Sequence, residues 1–178
     1  MISYGFNYSR CHSGHYCPPA TVNPNDNPCP AGRYTNATNL IDDSQCDICP
    51  ERVACLAGTG GAEGFQFVPC SPGHWCGYGT QFASQHDCAP GRYTAATNLR
   101  HQDECSPCPE GKYCVGGQPA ISGDCAQGHY CPLNTSSATS FDCPAGRYTA
   151  RVNLSNANEC SICPKGHYCQ AGSVLPQP

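Results

Sequence analysis

The chain has 178 residues, 18 of them cysteine, with 12% charged residues and a formal net charge of −4. Leu, Ile, Val and Phe number 22, about 12% of the chain and below the roughly 20% that usually accompanies a packed core. An ordinary cytosolic enzyme domain is therefore excluded, charge-driven disorder fits poorly, and cross-links must supply the order that apolar burial cannot.

Residues 1–10 come first. Ile2, Tyr4, Phe6 and Tyr8 alternate with Ser3, Gly5 and Asn7, the period-two pattern of a half-buried strand. The segment either folds back on the first cysteine unit or adds as an edge strand to a neighbouring subunit. It lacks the charged and apolar regions of a secretory signal, whereas a disulfide framework needs export, so the expectation is an excerpt of a longer precursor.

Three sets of six cysteines follow with one spacing. Unit 1 spans 11–55 (Cys11, Cys17, Cys29, Cys46, Cys49, Cys55), unit 2 spans 70–114 (Cys70, Cys76, Cys88, Cys105, Cys108, Cys114) and unit 3 spans 125–169 (Cys125, Cys131, Cys143, Cys160, Cys163, Cys169). Steps of 6, 12, 17, 3 and 6 recur without an insertion. Free surface loops tolerate length changes at little cost, so such strictness implies covalently closed loops. Linkers occupy 56–69 and 115–124, and a tail 170–178.

A finer repeat runs inside each unit. Nine segments begin as Cys-x-x-Gly-x-aromatic, and eight keep both the glycine and the ring, from Gly14 and Tyr16 to Gly166 and Tyr168. This reads as a turn with glycine at positive φ, frequently preset by proline, followed by a ring that covers a neighbouring disulfide. The exception is Cys49-Pro-Glu-Arg-Val-Ala-Cys55, where Arg52 and Ala54 replace glycine and ring; its rung is expected to be built differently.

The middle segment of each unit carries the longest match, Cys-x-x-Gly-Arg-Tyr-Thr followed by Asn-Leu at 39–40, 98–99 and 153–154. The next cysteine lies 17 positions on with none between, which predicts Cys29–Cys46, Cys88–Cys105 and Cys143–Cys160. The remaining pairs stay open, because six cysteines allow 15 connectivities. Short two-stranded ribbons are expected around Arg-Tyr-Thr, with little helix. The fold class is small and disulfide-rich: an elongated rod of three tandem units.

Cys-Pro-x-Gly-x-Tyr, a polar spacer and then Cys-x-x-Cys-Pro-x-Gly-x-Tyr resembles the ephrin-receptor-like cysteine-rich repeat, a short relative of EGF-like and tumour-necrosis-factor-receptor modules. The resemblance covers residues 11–169. It implies an extracellular, non-catalytic, disulfide-bonded chain, as in receptor ectodomains and in surface or flagellar-hair (mastigoneme) proteins of algae and protists.

Candidate chemistry is sparse. Cys-x-x-Cys occurs once per unit, at Cys46/Cys49, Cys105/Cys108 and Cys160/Cys163, but zinc needs two such pairs or spaced histidines, and redox chemistry needs a helix N-terminus on a βαβ scaffold. His15, His74, His129 and His167 repeat in Gly-His-aromatic-Cys and read as scaffold positions. No catalytic set, cofactor or metal site is expected. Two lysines and seven arginines form no basic run, which argues against nucleic acid, and no stretch reaches the ~18 apolar residues of a membrane span.

Asn7, Asn36, Asn134 and Asn153 begin Asn-x-Ser/Thr sequons and are candidate glycan sites. Ile2, Tyr4, Phe6, Tyr8, Phe65, Phe67 and Val68 are candidate assembly contacts. The expected function is a structural surface-fibre subunit or segment whose partners are copies of itself or related repeat proteins. A ligand-binding receptor ectodomain, with Phe65 and Phe67 at its docking site, is the alternative.

Overall fold

A computed structural model describes residues 10–60 and 66–178. The eighteen cysteines pair in consecutive twos along the chain, the first with the second, the third with the fourth and so on, and none is free. Three disulfides span 17 residues: Cys29–Cys46, Cys88–Cys105 and Cys143–Cys160. The six whose pairing the sequence leaves open span 6 residues each, such as Cys11–Cys17 and Cys49–Cys55. The fold is small and disulfide-rich, with two-stranded antiparallel ribbons and almost no helix.

Nine rungs follow one another, opened by Cys11, Cys29, Cys49, Cys70, Cys88, Cys108, Cys125, Cys143 and Cys163. A ribbon joins two residues of a rung to the two residues just before the next opening cysteine. In rung 2, β1 (Arg33–Tyr34) pairs with β2 (Asp47–Ile48). In rung 3, β3 (Val53–Ala54) pairs with β4 (Val68–Pro69). The same register recurs between His74–Trp75 and His86–Asp87, Arg92–Tyr93 and Ser106–Pro107, Lys112–Tyr113 and Gly123–Asp124, His129–Tyr130 and Phe141–Asp142, and Arg147–Tyr148 and Ser161–Ile162. Two-residue strands carry little stability alone, so their order comes from the disulfides and from bonds between rungs.

Those bonds are backbone to backbone and repeat. The turn residue of one rung donates its N–H to the carbonyl three residues past the next rung's turn residue: Gly14 to Thr35, Gly32 to Cys55, Gly91 to Cys114 and Gly146 to Cys169, at 2.8–2.9 Å. Its carbonyl accepts from the next opening cysteine, as Gly14 accepts from Cys29 and Gly146 from Cys163. Each bond contributes about 1 kcal/mol.

Rung 3 departs from the expectation. Arg52 takes the glycine conformation, φ 79°, donates to Cys76 and accepts from Cys70 like its glycine counterparts. Ala54, in place of the ring, is fully buried. The bonds on both sides outweigh the 1–2 kcal/mol that a left-handed L-residue costs, so side chains differ while the backbone does not.

A second left-handed series, absent from the sequence reading, sets the spacing of the rungs. After each short disulfide loop it falls three residues past the closing cysteine, as at Ala20, Gly58, Gly79, Gly117, Asn134 and Gly172. In the middle rungs it is the asparagine of the repeated Asn-Leu, Asn39, Asn98 and Asn153, all at φ 60–69°. The leucine that follows is buried: Leu40, Leu99 and Leu154. Leu99 packs with Cys88, Cys105 and Trp75, and Leu154 with Cys143, Cys160 and Tyr130. The small apolar clusters thus sit on the 17-residue disulfides, each covered by the ring of the rung before.

Residues 56–60 and 115–118, linkers by sequence, are built into these rungs. Thr59 is buried, its Oγ1 donates to the Leu56 carbonyl at 2.7 Å, and its own carbonyl accepts from Thr35. Gln118 accepts likewise from Thr94. Contacts divide the chain into two compact units, Met1–Cys70 with Cys76–Gln85 and Ser71–Trp75 with His86–Pro178.

Candidate functional site

The repeated arginine has a local task. Nη1 of Arg33, Arg92 and Arg147 reaches the carbonyl of Cys46, Cys105 and Cys160 at 2.7–2.8 Å, tying the turn to the far end of its own disulfide. A charged donor to a half-buried carbonyl is worth about 1.5 kcal/mol or more. Arg92→Met is therefore expected to lower unfolding free energy by about that amount in denaturant titration of the oxidised protein, and Arg151→Met, an exposed side chain, by much less.

The repeated histidines brace the ribbons. His74 Nε2 lies 3.0 Å from Asp87 Oδ1 and its Nδ1 2.9 Å from the Pro72 carbonyl. His129 repeats this with Asp142 at 3.0 Å and the Gln127 carbonyl at 2.7 Å. His15 faces Pro28 across its bridge, with Nδ1 3.2 Å from the Ser13 carbonyl. His167 Nδ1 lies 3.3 Å from the Lys165 carbonyl. Lys112 and Asp124 form a corresponding cross-strand ion pair. These pairs place one acidic and one basic group side by side, with no nucleophile among them.

The Cys-x-x-Cys pairs carry no thiols, since Cys46 and Cys49 belong to different disulfides, as do Cys105 and Cys108 and also Cys160 and Cys163. Among the described residues no three His, Cys, Asp or Glu side chains converge as a metal-binding group. No described helix is long and apolar enough to cross a membrane.

Asp42 caps the 3-10 turn Asp43–Gln45 by accepting from Ser44 N–H at 2.9 Å, and hydrogen bonds from Ser44 hold its carboxyl below the ordinary value. A lowered carboxylate pKa stabilises the fold above the unfolded-state value and ceases to do so as pH falls through the folded one. NMR titration should find Asp42 ionising at lower pH than a free aspartate, and Asp42→Ala should weaken the pH dependence of stability on the acid side.

The candidate assembly contacts divide. Ile2, Tyr4, Phe6, Tyr8 and Phe65, with the Asn7 sequon, lie outside the described residues. Phe67 sits edge-on against Tyr34 at 5.0 Å and keeps 39% of its surface exposed, while Val68 lies in β4 opposite Ala54. Asn36, Asn134 and Asn153 are exposed, but the last two occupy left-handed backbone positions, with N–H groups bonded to the Cys108 and Cys125 carbonyls.

The turn glycines fall into two groups. The turn glycines Gly14, Gly32, Gly73, Gly91, Gly111 and Gly128 are buried, each with the carbonyl of the second left-handed residue two rungs on close above its Cα. Gly146 and Gly166 are exposed and have nothing within 4 Å of where a Cβ would stand. Sequence reasoning identified the first glycine series. It missed the second, whose signal is Cys-x-x-Gly/Asn/Ala after each short loop and Asn-Leu in each long one.

No protein-family model matches the chain, and no curated protein matches it.

Proposed function

We propose that this chain is a non-catalytic extracellular structural protein, a subunit or segment of a surface fibre or flagellar-hair-like filament held by repeated contacts between subunits. One observation carries the reading: the same pair of backbone bonds joins each rung to the next, so the architecture is additive and specifies no unique centre. The complete pairing of cysteines supports an oxidising compartment. The resemblance to ephrin-receptor-like repeats belongs to the same proposal and supports the extracellular setting, and sugars on Asn36, Asn134 or Asn153 would suit it. Electron microscopy of protein from an oxidising host, over a concentration series, tests it. Filaments are the expected result; particles that stay single at every concentration and with native sugars would overturn it.

A further inference from the structure

We propose a further function for this chain: it carries tension along its length as a tether whose stretch is capped by its own disulfides. That load reaches it rests on the fibre reading; how the chain answers load follows from the connectivity. Each disulfide joins two cysteines with no other cysteine between them, so no bridge spans another. A pull that enters before Cys11 and leaves after Cys169 therefore crosses all nine bridges in series, and every closed loop is bypassed.

The bypassed length is large. Six loops of 6 residues and three of 17 take roughly 90 of the roughly 160 residue steps between Cys11 and Cys169 out of the load path. What remains are links of 12 and 3 residues inside each unit and of 15 and 11 between units, joined through bridges whose Cα atoms stand 5.7–6.0 Å apart. At an extended rise of about 3.5 Å per residue, the straightened oxidised chain spans about 300 Å from Cys11 to Cys169 and the reduced chain about 550 Å, so the bridges withhold about 250 Å.

The same arrangement decides what yields. Gly14 N–H donates to Thr35, Gly32 N–H to Cys55, Gly91 N–H to Cys114 and Gly146 N–H to Cys169, and each of these bonds ties one closed loop to the next across a link. Single backbone hydrogen bonds are weak beside a covalent bond, so tension opens the links first and the bridges then take the strain.

Other contacts close within a single loop and are not pulled apart. Leu99 packs on Cys88 and Cys105, the two ends of its own loop, and Leu154 on Cys143 and Cys160. Arg33, Arg92 and Arg147 bond to the carbonyl at the far end of theirs. Each long loop thus keeps an ordered seed when the links straighten, and closed loops also lower the entropy of the unravelled chain. Recoil on relaxation follows. The cap is protected as well: Cys29, Cys46, Cys88, Cys105, Cys143 and Cys160 are at most 2% exposed, and a thiolate must reach a sulfur to exchange with it.

The test is single-molecule stretching of the full oxidised chain held by its two ends. It should stop about 250 Å short of the same chain after reduction. Against the oxidised wild type, Cys88→Ala/Cys105→Ala should gain about 50 Å of final length and Cys108→Ala/Cys114→Ala about 15 Å; a straightened length is read whether or not the variant folds. On relaxation the oxidised wild type should regain its folded length and repeat the trace, whereas the reduced chain should not. An oxidised chain that straightens to the reduced length puts the loops in the load path and overturns the cap. One that stops short but never recoils overturns the tether. Both readouts come from single molecules, so filament formation, read separately by microscopy, decides the fibre reading alone.

Discussion

Gly91→Ala is expected to destabilise the folded chain by about 3–5 kcal/mol, while Gly146→Ala should cost only about 1–2 kcal/mol. Both residues hold the same left-handed conformation, φ 84° and 80°, so the strain of an L-residue is common to both. They differ in what the added methyl meets. At Gly91 it would lie 2.2 Å from the Asn134 carbonyl oxygen, a backbone atom fixed by its neighbour's bond from Asn134 N–H to Cys108. At Gly146 it meets nothing within 4 Å. The difference between the two variants in denaturant midpoint therefore isolates the close packing between rungs two steps apart, and equal midpoints would show that this packing contributes nothing.

Removing the Cys88–Cys105 disulfide as Cys88→Ala/Cys105→Ala should cost about 3 kcal/mol from loop closure alone, and removing Cys108–Cys114 about 2 kcal/mol. The longer loop also holds the cluster of Leu99 with Trp75, which adds to its loss. Trp75 is the chain's single tryptophan and stacks on His86 at 4.4 Å, so its fluorescence reports this rung. The first double variant should shift the Trp75 emission toward that of exposed indole at a lower denaturant concentration than the second. The reverse order would place the stabilising weight on the short loops.

Much of this fold is legible in the cysteine spacing, because a covalent pair constrains sequence more strictly than packing does. Cys29 opens the longest repeated match and Cys46 follows it 17 residues on, so their pairing could be expected. Cys11, Cys17, Cys49 and Cys55 had several allowed partners, and only the geometry of short ribbons joins each to its immediate neighbour. Glycine at one turn position per rung was readable since a single residue type fills it. The second left-handed series was not, because Ala20, Asn39 and Gly58 fill one backbone role with three residue types. Arg52 shows the same limit in reverse: a side chain that argues against the turn is overruled by two backbone bonds formed with residues far along the chain. The approach of Gly14 to Gly58 is also beyond local pattern, since it joins rungs separated by a whole intervening disulfide.

Peptide mapping without reduction, after blocking any free thiol with an alkylating reagent, tests the central claim most directly. The account predicts no alkylated cysteine and nine linked peptides, each joining a cysteine to the next one in sequence, 6 or 17 residues away. Alkylated cysteines, or crossed links such as Cys11 to Cys29 or Cys46 to Cys55, would contradict it.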